Sequence, residues 1–115
     1  MIFFRVSTAK SYGFGHFSRL KALRYFLDKP VHWFVDKDCD DEIKSNIPKE
    51  DNITEEINNK TSTKTIQKAK LNSPSSIIVC DSYNLNILEL ESSKIRVIML
   101  SDQNIKFKCH NIEII

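Results

Sequence analysis

Both glycines of this 115-residue chain fall within three residues of each other, in Gly13-Phe14-Gly15, and His16 follows them directly. Glycine lacks a Cβ, so it adopts positive φ and lets a backbone approach a ligand closely. A helix beginning at such a turn presents unpaired N–H donors and a partial positive charge, which together can hold a phosphate or a sugar oxyanion. His16 stands at that helix start, and Arg19 lies three residues on, on the same helix face. A helix amino terminus favours the neutral imidazole that a general base requires. An isolated histidine is ordinarily a hydrogen-bonded structural residue. Here two other segments, Asp81-Ser82-Tyr83 and Ser101-Asp102, also follow apolar runs and converge with His16 on one edge of the expected sheet. The candidate site is therefore His16 as catalytic base, with Gly13, Gly15, Arg19, Tyr83, Asp81 and Asp102 as substrate-binding residues.

The elements that must position these residues follow from apolar patterning. Ile2 to Val6 reads as a strand giving way to a polar loop at Ser7. Phe17, Leu20, Leu23 and Leu27 then recur at helical spacing, with Phe26 widening the apolar face, Lys21, Arg24 and Asp28 falling elsewhere, and Pro30 beyond the end. Val31 to Val35 is a second strand. The acidic cluster Asp36 to Glu42 reads as a hydrated loop leading into a short helix through Ile43 and Ile47, where carboxylates suit the helix dipole. Between Pro48 and Ser76 the chain is polar, with an edge strand at Ile53 to Ile57 and a helix at Lys64 to Leu71. Ser76 to Cys80 carries the continuous apolar run Ile77-Ile78-Val79, typical of a strand covered on both faces. A short helix at Leu85 to Leu90, a strand at Ile95 to Leu100 and a final strand at Ile112 to Ile115 complete the pattern. Such alternation predicts one α/β domain over residues 1–115, a Rossmann-like, doubly wound parallel sheet. Ending on the apolar strand suggests a sheet edge that further protein covers.

Composition narrows the function classes. A hydrophobic fraction of 41% and a charged fraction of 28% exclude disordered and fibrous classes. The net charge of +2 comes from dispersed lysines rather than a basic stripe, which argues against nucleic acid as partner. No apolar stretch is long enough to span a bilayer, and the amino terminus lacks a signal-peptide core, so the default expectation is cytoplasmic. Cys39, Cys80 and Cys109 are widely separated and form no Cys-x-x-Cys pair, so neither disulfides nor structural zinc is expected, and Cys80 reads as a buried small hydrophobe. His32 reads as a strand residue, and Trp33 and Phe34 as core. Cys109 beside His110 lacks further ligands at suitable spacing, so no metal and no cofactor are expected. The third glycine of the dinucleotide fingerprint is replaced by Ser18, which disfavours NAD.

Arg5-Val6-Ser7-Thr8 through Gly13-Phe14-Gly15-His16-Phe17-Ser18-Arg19 resembles the amino-terminal signature of the PseG-type UDP-sugar hydrolases of pseudaminic acid biosynthesis, relatives of the SpsG-type spore coat polysaccharide proteins. Asp81-Ser82-Tyr83, Ser101-Asp102 and Lys108-Cys109-His110 resemble later segments of that family in the same order. The resemblance implies the amino-terminal half of a GT-B-type fold, with the substrate in a cleft between two Rossmann-like domains. It implies hydrolysis of the anomeric C–O bond of a UDP-linked diacetamido-trideoxy sugar, with His16 activating water and Tyr83 lining the sugar site. A UDP-sugar would be the substrate, and a separate carboxyl-terminal domain would supply the uridine and diphosphate contacts. Where the family often has Asp two residues after the first-strand arginine, this chain has Ser7. Two alternatives stay open: a GT-B glycosyltransferase half, and a truncated, non-catalytic docking module. A receiver or flavodoxin-like domain fits the alternation, but Ser7 and Thr8 stand where a receiver needs acidic residues.

Overall fold

The computed structural model describes residues 1–82, 85–100 and 110–115. Its strands are β1 (Ile2–Val6), β2 (His32–Val35), β3 (Asn52–Glu55), β4 (Ile77–Asp81), β5 (Arg96–Met99) and β6 (Ile112–Ile114). Its helices are α1 (Gly15–Tyr25), α2 (Asp41–Ser45), α3 (Thr63–Leu71) and α4 (Ile87–Ser93). All strand pairings are parallel and the spatial order is β3-β2-β1-β4-β5-β6. The chain thus starts at the centre, winds outward through β2 and β3, and returns to place β4 beside β1. That reversal is the switch point at which open α/β sheets bind ligands, beyond the carboxyl ends of the strands. The fold is the expected Rossmann-like doubly wound sheet.

Successive strand residues face opposite sides, so each apolar run builds two cores at once. Phe4, Val6, Trp33, Val35 and Val79 pack against Phe17 and Leu20 of α1 and Ile43 of α2. Phe3, Phe34, Ile78, Cys80 and Val97 pack against Ile66 and Ala69 of α3 and Leu90 of α4. Trp33 and Phe34 are core residues as expected, and Cys80 is buried. Among the described residues no helix is long and apolar enough to cross a membrane.

Several details depart from the sequence reading: β3 ends at Glu55 rather than Ile57, and α4 runs over Ile87–Ser93 rather than Leu85 to Leu90. α1 begins two residues before Phe17 and ends at Tyr25, leaving Phe26 80% exposed rather than on the apolar face. Arg24, expected off that face, is buried instead: Asp51 accepts from its Nε at 2.7 Å and its Nη2 at 2.9 Å, and also from Trp33 Nε1 at 2.8 Å and the Val31 N–H at 3.0 Å. β4 runs through Asp81, one residue beyond the expected end. The acidic start of α2 is as expected, Asp40 capping it by accepting from the Glu42 N–H at 2.8 Å.

Candidate functional site

The loop after β1 is shaped by a carboxylate the sequence reading placed in solvent. Asp36, at the carboxyl end of β2, is fully buried. Its Oδ2 accepts from the Thr8 N–H at 2.8 Å and the Ala9 N–H at 3.0 Å, and its own N–H donates to Thr8 Oγ1 at 3.0 Å. Its Oδ1 accepts from Arg5 Nη1 at 3.0 Å, and Arg5 is itself buried within β1. A carboxylate from the neighbouring strand therefore holds the start of this loop. A buried charge is tolerated only when paired and hydrogen-bonded, and both conditions are met here.

From this anchored start the chain passes a short 3₁₀ turn at Lys10–Tyr12 and reaches Gly13, at φ 70° and ψ −160°. That region belongs essentially to glycine, so Gly13 is demanded by the turn. Gly15, the first residue of α1, is not: a Cβ there would meet only Arg19 Nη1, at 3.8 Å. No side chain caps α1 and no acidic residue occupies its first turn among the described residues.

His16 and Arg19 project from that first turn onto the end of β4. Val6 and Asp81 are register partners, so Asp81 shares the α1 face of the sheet with Val6 and Val79. Its carboxylate is fully buried and contacts His16 Nδ1 through Oδ1. Arg19 grips both oxygens, Nε to Oδ2 at 2.7 Å and Nη2 to Oδ1 at 2.8 Å, and its Nη2 lies 3.0 Å from His16 Nδ1. The Arg19 side chain is half exposed while the imidazole is buried. Of the two neutral tautomers, a carboxylate at Nδ1 favours the one with its proton on Nδ1, which puts the lone pair on Nε2. Ser7 ties the two strand ends together, its N–H donating to the Asp81 carbonyl at 3.0 Å and its hydroxyl meeting that of Ser82.

Comparison with protein-family models, curated proteins and solved structures gives no match.

Of the residues singled out in the sequence, Gly13, Gly15, His16, Arg19 and Asp81 come together at the switch point. Tyr83 and Asp102 lie outside the described residues, as do Ser101 and Cys109. Asp81 faces inward to His16 and Arg19, which makes it a positioning residue in this geometry. Asp36 is the site residue that sequence reasoning missed. Its signal was its place, directly after the apolar run of β2, rather than its membership of an acidic cluster. No group of three or more His, Cys, Asp or Glu side chains able to hold a metal occurs among the described residues. Burial pushes the Cys80 thiol up to about 12, with the charge of Arg5 opposing, and also raises Cys39, so neither is poised as a nucleophile.

Proposed function

We propose that this chain is the sugar-side half of a nucleotide-sugar hydrolase, acting on a UDP-linked diacetamido sugar. The observation that carries the reading is His16 pinned through Nδ1 by a buried carboxylate, at the uncapped start of α1 and at the switch point of the sheet. The sequence resemblance to UDP-sugar hydrolases supports the substrate class. In this mechanism Nε2 of His16 takes a proton from water as the water oxygen bonds to the anomeric carbon. The anomeric C–O bond breaks with its electron pair leaving on UDP, already a good leaving group. Asp81 holds the imidazole in the tautomer and orientation the step requires and steadies the imidazolium it produces, while Arg19 orients the Asp81 carboxylate. Gly13 and Gly15 leave the backbone beside the helix start bare, where sugar or phosphate oxygens meet the helix dipole. Uridine contacts come from a second domain of the GT-B arrangement.

The burial of Asp81 and His16 favours a second reading, in which the cluster is a structural latch fastening α1 to β4. One experiment separates them: titrate the chain with UDP and with the UDP-linked sugar, following the amides of Gly13, Gly15 and His16, and measure UDP release by the assembly completed with the second domain. The hydrolase reading expects sugar-dependent shifts at these amides and release abolished in His16→Ala. Release that survives intact in His16→Ala overturns the assigned role, and no shifts with either ligand leave the latch.

A further inference from the structure

On the opposite face of the sheet from His16, α3 leaves part of β2 and β3 uncovered. His32 and Phe34, two residues apart on β2, both point to that face, in register with Phe3 and Arg5 of β1. Their rings stack with centroids 4.3 Å apart and planes inclined by 19°. From β3, Thr54 Oγ1 lies 2.7 Å from His32 Nε2. Lys64, Gln67, Lys68 and Leu71 of α3 form the other wall, at the i, i+3, i+4, i+7 spacing that lines one side of a helix. The groove between them has a volume of about 280 Å³.

We propose that this groove binds a small ligand made of a flat ring bearing one anionic group, the chemistry shared by aromatic carboxylates and mononucleotides. The accessible part of the floor is the half-buried His32 ring, backed by the buried Phe34, and it suits a ring, since offset-stacked and edge-on arrangements both satisfy aromatic quadrupoles. Leu71, 80% exposed at the rim, adds an apolar lip to the groove. The charge is one-sided. Lys64 and Lys68 stand one helical turn apart, no carboxylate lines the groove, and neither lysine makes an ion pair among the described residues. Like charges at that spacing repel, and an anion between them removes the repulsion. Gln67 and the Thr54 hydroxyl add neutral polar groups. Burial, and secondarily Lys68, lower the pKa of His32, so near neutral pH its ring serves as a neutral stacking surface. The volume sits at the small end of ligand clefts, which suits a single ring with its anionic group.

The test is an NMR titration of the full chain with benzoate, uridine monophosphate and inorganic phosphate, following the His32 ring and the amides of Thr54 and Lys68. The expected result is saturable shifts at these positions with at least one ring-bearing ligand and weaker binding of phosphate alone. Benzoate alone binding assigns an aromatic carboxylate, and uridine monophosphate alone binding assigns a nucleotide. Lys68→Glu, at an exposed position, should weaken binding by about tenfold, Lys68→Arg should retain it, and His16→Ala should leave it unchanged. Absence of saturable shifts at His32, equal binding of inorganic phosphate, or undiminished binding by Lys68→Glu overturns the proposal. Because the readouts lie on the α3 face, failure of the hydrolase reading at His16 does not affect them.

Discussion

Replacing Asp81 by asparagine probes the candidate site by exchanging one oxygen for an amide nitrogen. The wild-type carboxylate is fully buried and receives Arg19 at 2.7 Å and 2.8 Å as well as the His16 contact. Breaking a fully buried ion pair by removing one partner costs about 3–5 kcal/mol. Arg19 is half exposed, however, so its guanidinium can return to water, and an exposed pair contributes under about 1 kcal/mol. Asparagine keeps one acceptor of the same shape, which leaves an expected loss of about 1–3 kcal/mol, between those limits. At about 4 °C per kcal/mol for a domain of this size, Tm should fall by about 4–12 °C. Thermal unfolding followed by circular dichroism measures it. Long-range nitrogen–proton NMR on the His16 ring reads the second consequence, at a pH where the ring is neutral. The wild-type proton should sit on Nδ1, and Asp81→Asn should raise the population protonated at Nε2. A wild-type ring protonated at Nε2 would refute the argument that Asp81 sets the tautomer, and with it the assignment of Nε2 as base. A Tm unchanged by the substitution would refute the energetic reasoning separately.

Asp51→Ala leaves Arg24, the Trp33 indole N–H and the Val31 N–H without their shared acceptor, and urea unfolding should show a loss of about 3–5 kcal/mol. Burial alone would raise the Asp51 pKa, but the hydrogen bonds from Arg24, Trp33 and the Val31 N–H, with the Arg24 charge, hold it below the usual value. Its stabilisation is therefore fully present above the unfolded value of about 3.9 and lost as pH falls through the lower folded value. Asp51→Ala should lack that part of the acid limb when stability is measured against pH. Gly13→Ala forces a side chain into the φ 70° conformation and should cost about 1–3 kcal/mol, whereas Gly15→Ala should stay within about 0.5 kcal/mol of wild type, since its Cβ meets ordinary contacts. Urea midpoints of the two variants check the contrast. Cys39 and Cys80 should resist thiol reagents at mildly alkaline pH until denaturant is added, and peptide mass mapping identifies which thiols react.

What the sequence disclosed and what it concealed divide along one physical line. Apolar runs such as Ile77-Ile78-Val79 report burial directly, so strands, sheet class and two-sided core were legible from polarity alone. The place of the candidate site in the fold was legible too, because two glycines and a histidine cluster at a single strand-to-helix turn. The charged interior was not. Three of the four arginines, Arg5, Arg19 and Arg24, each meet an aspartate remote in sequence, at positions 36, 81 and 51. Helical periodicity treats Arg24 as a solvent residue and Phe26 as a core one, yet Asp51 draws the arginine inward and the helix ends before the phenylalanine. Asp36 and Asp38 belong to one acidic run, and only the register of β2 beside β1 sends the first to Arg5 and leaves the second exposed. Asp81 is the instructive case, because strand alternation places it on the same face as Val79 once β4 is extended by one residue. From that single step follows its contact with His16 and Arg19 in the interior, and the proposed chemistry then rests on whether His16 presents Nε2 as a base.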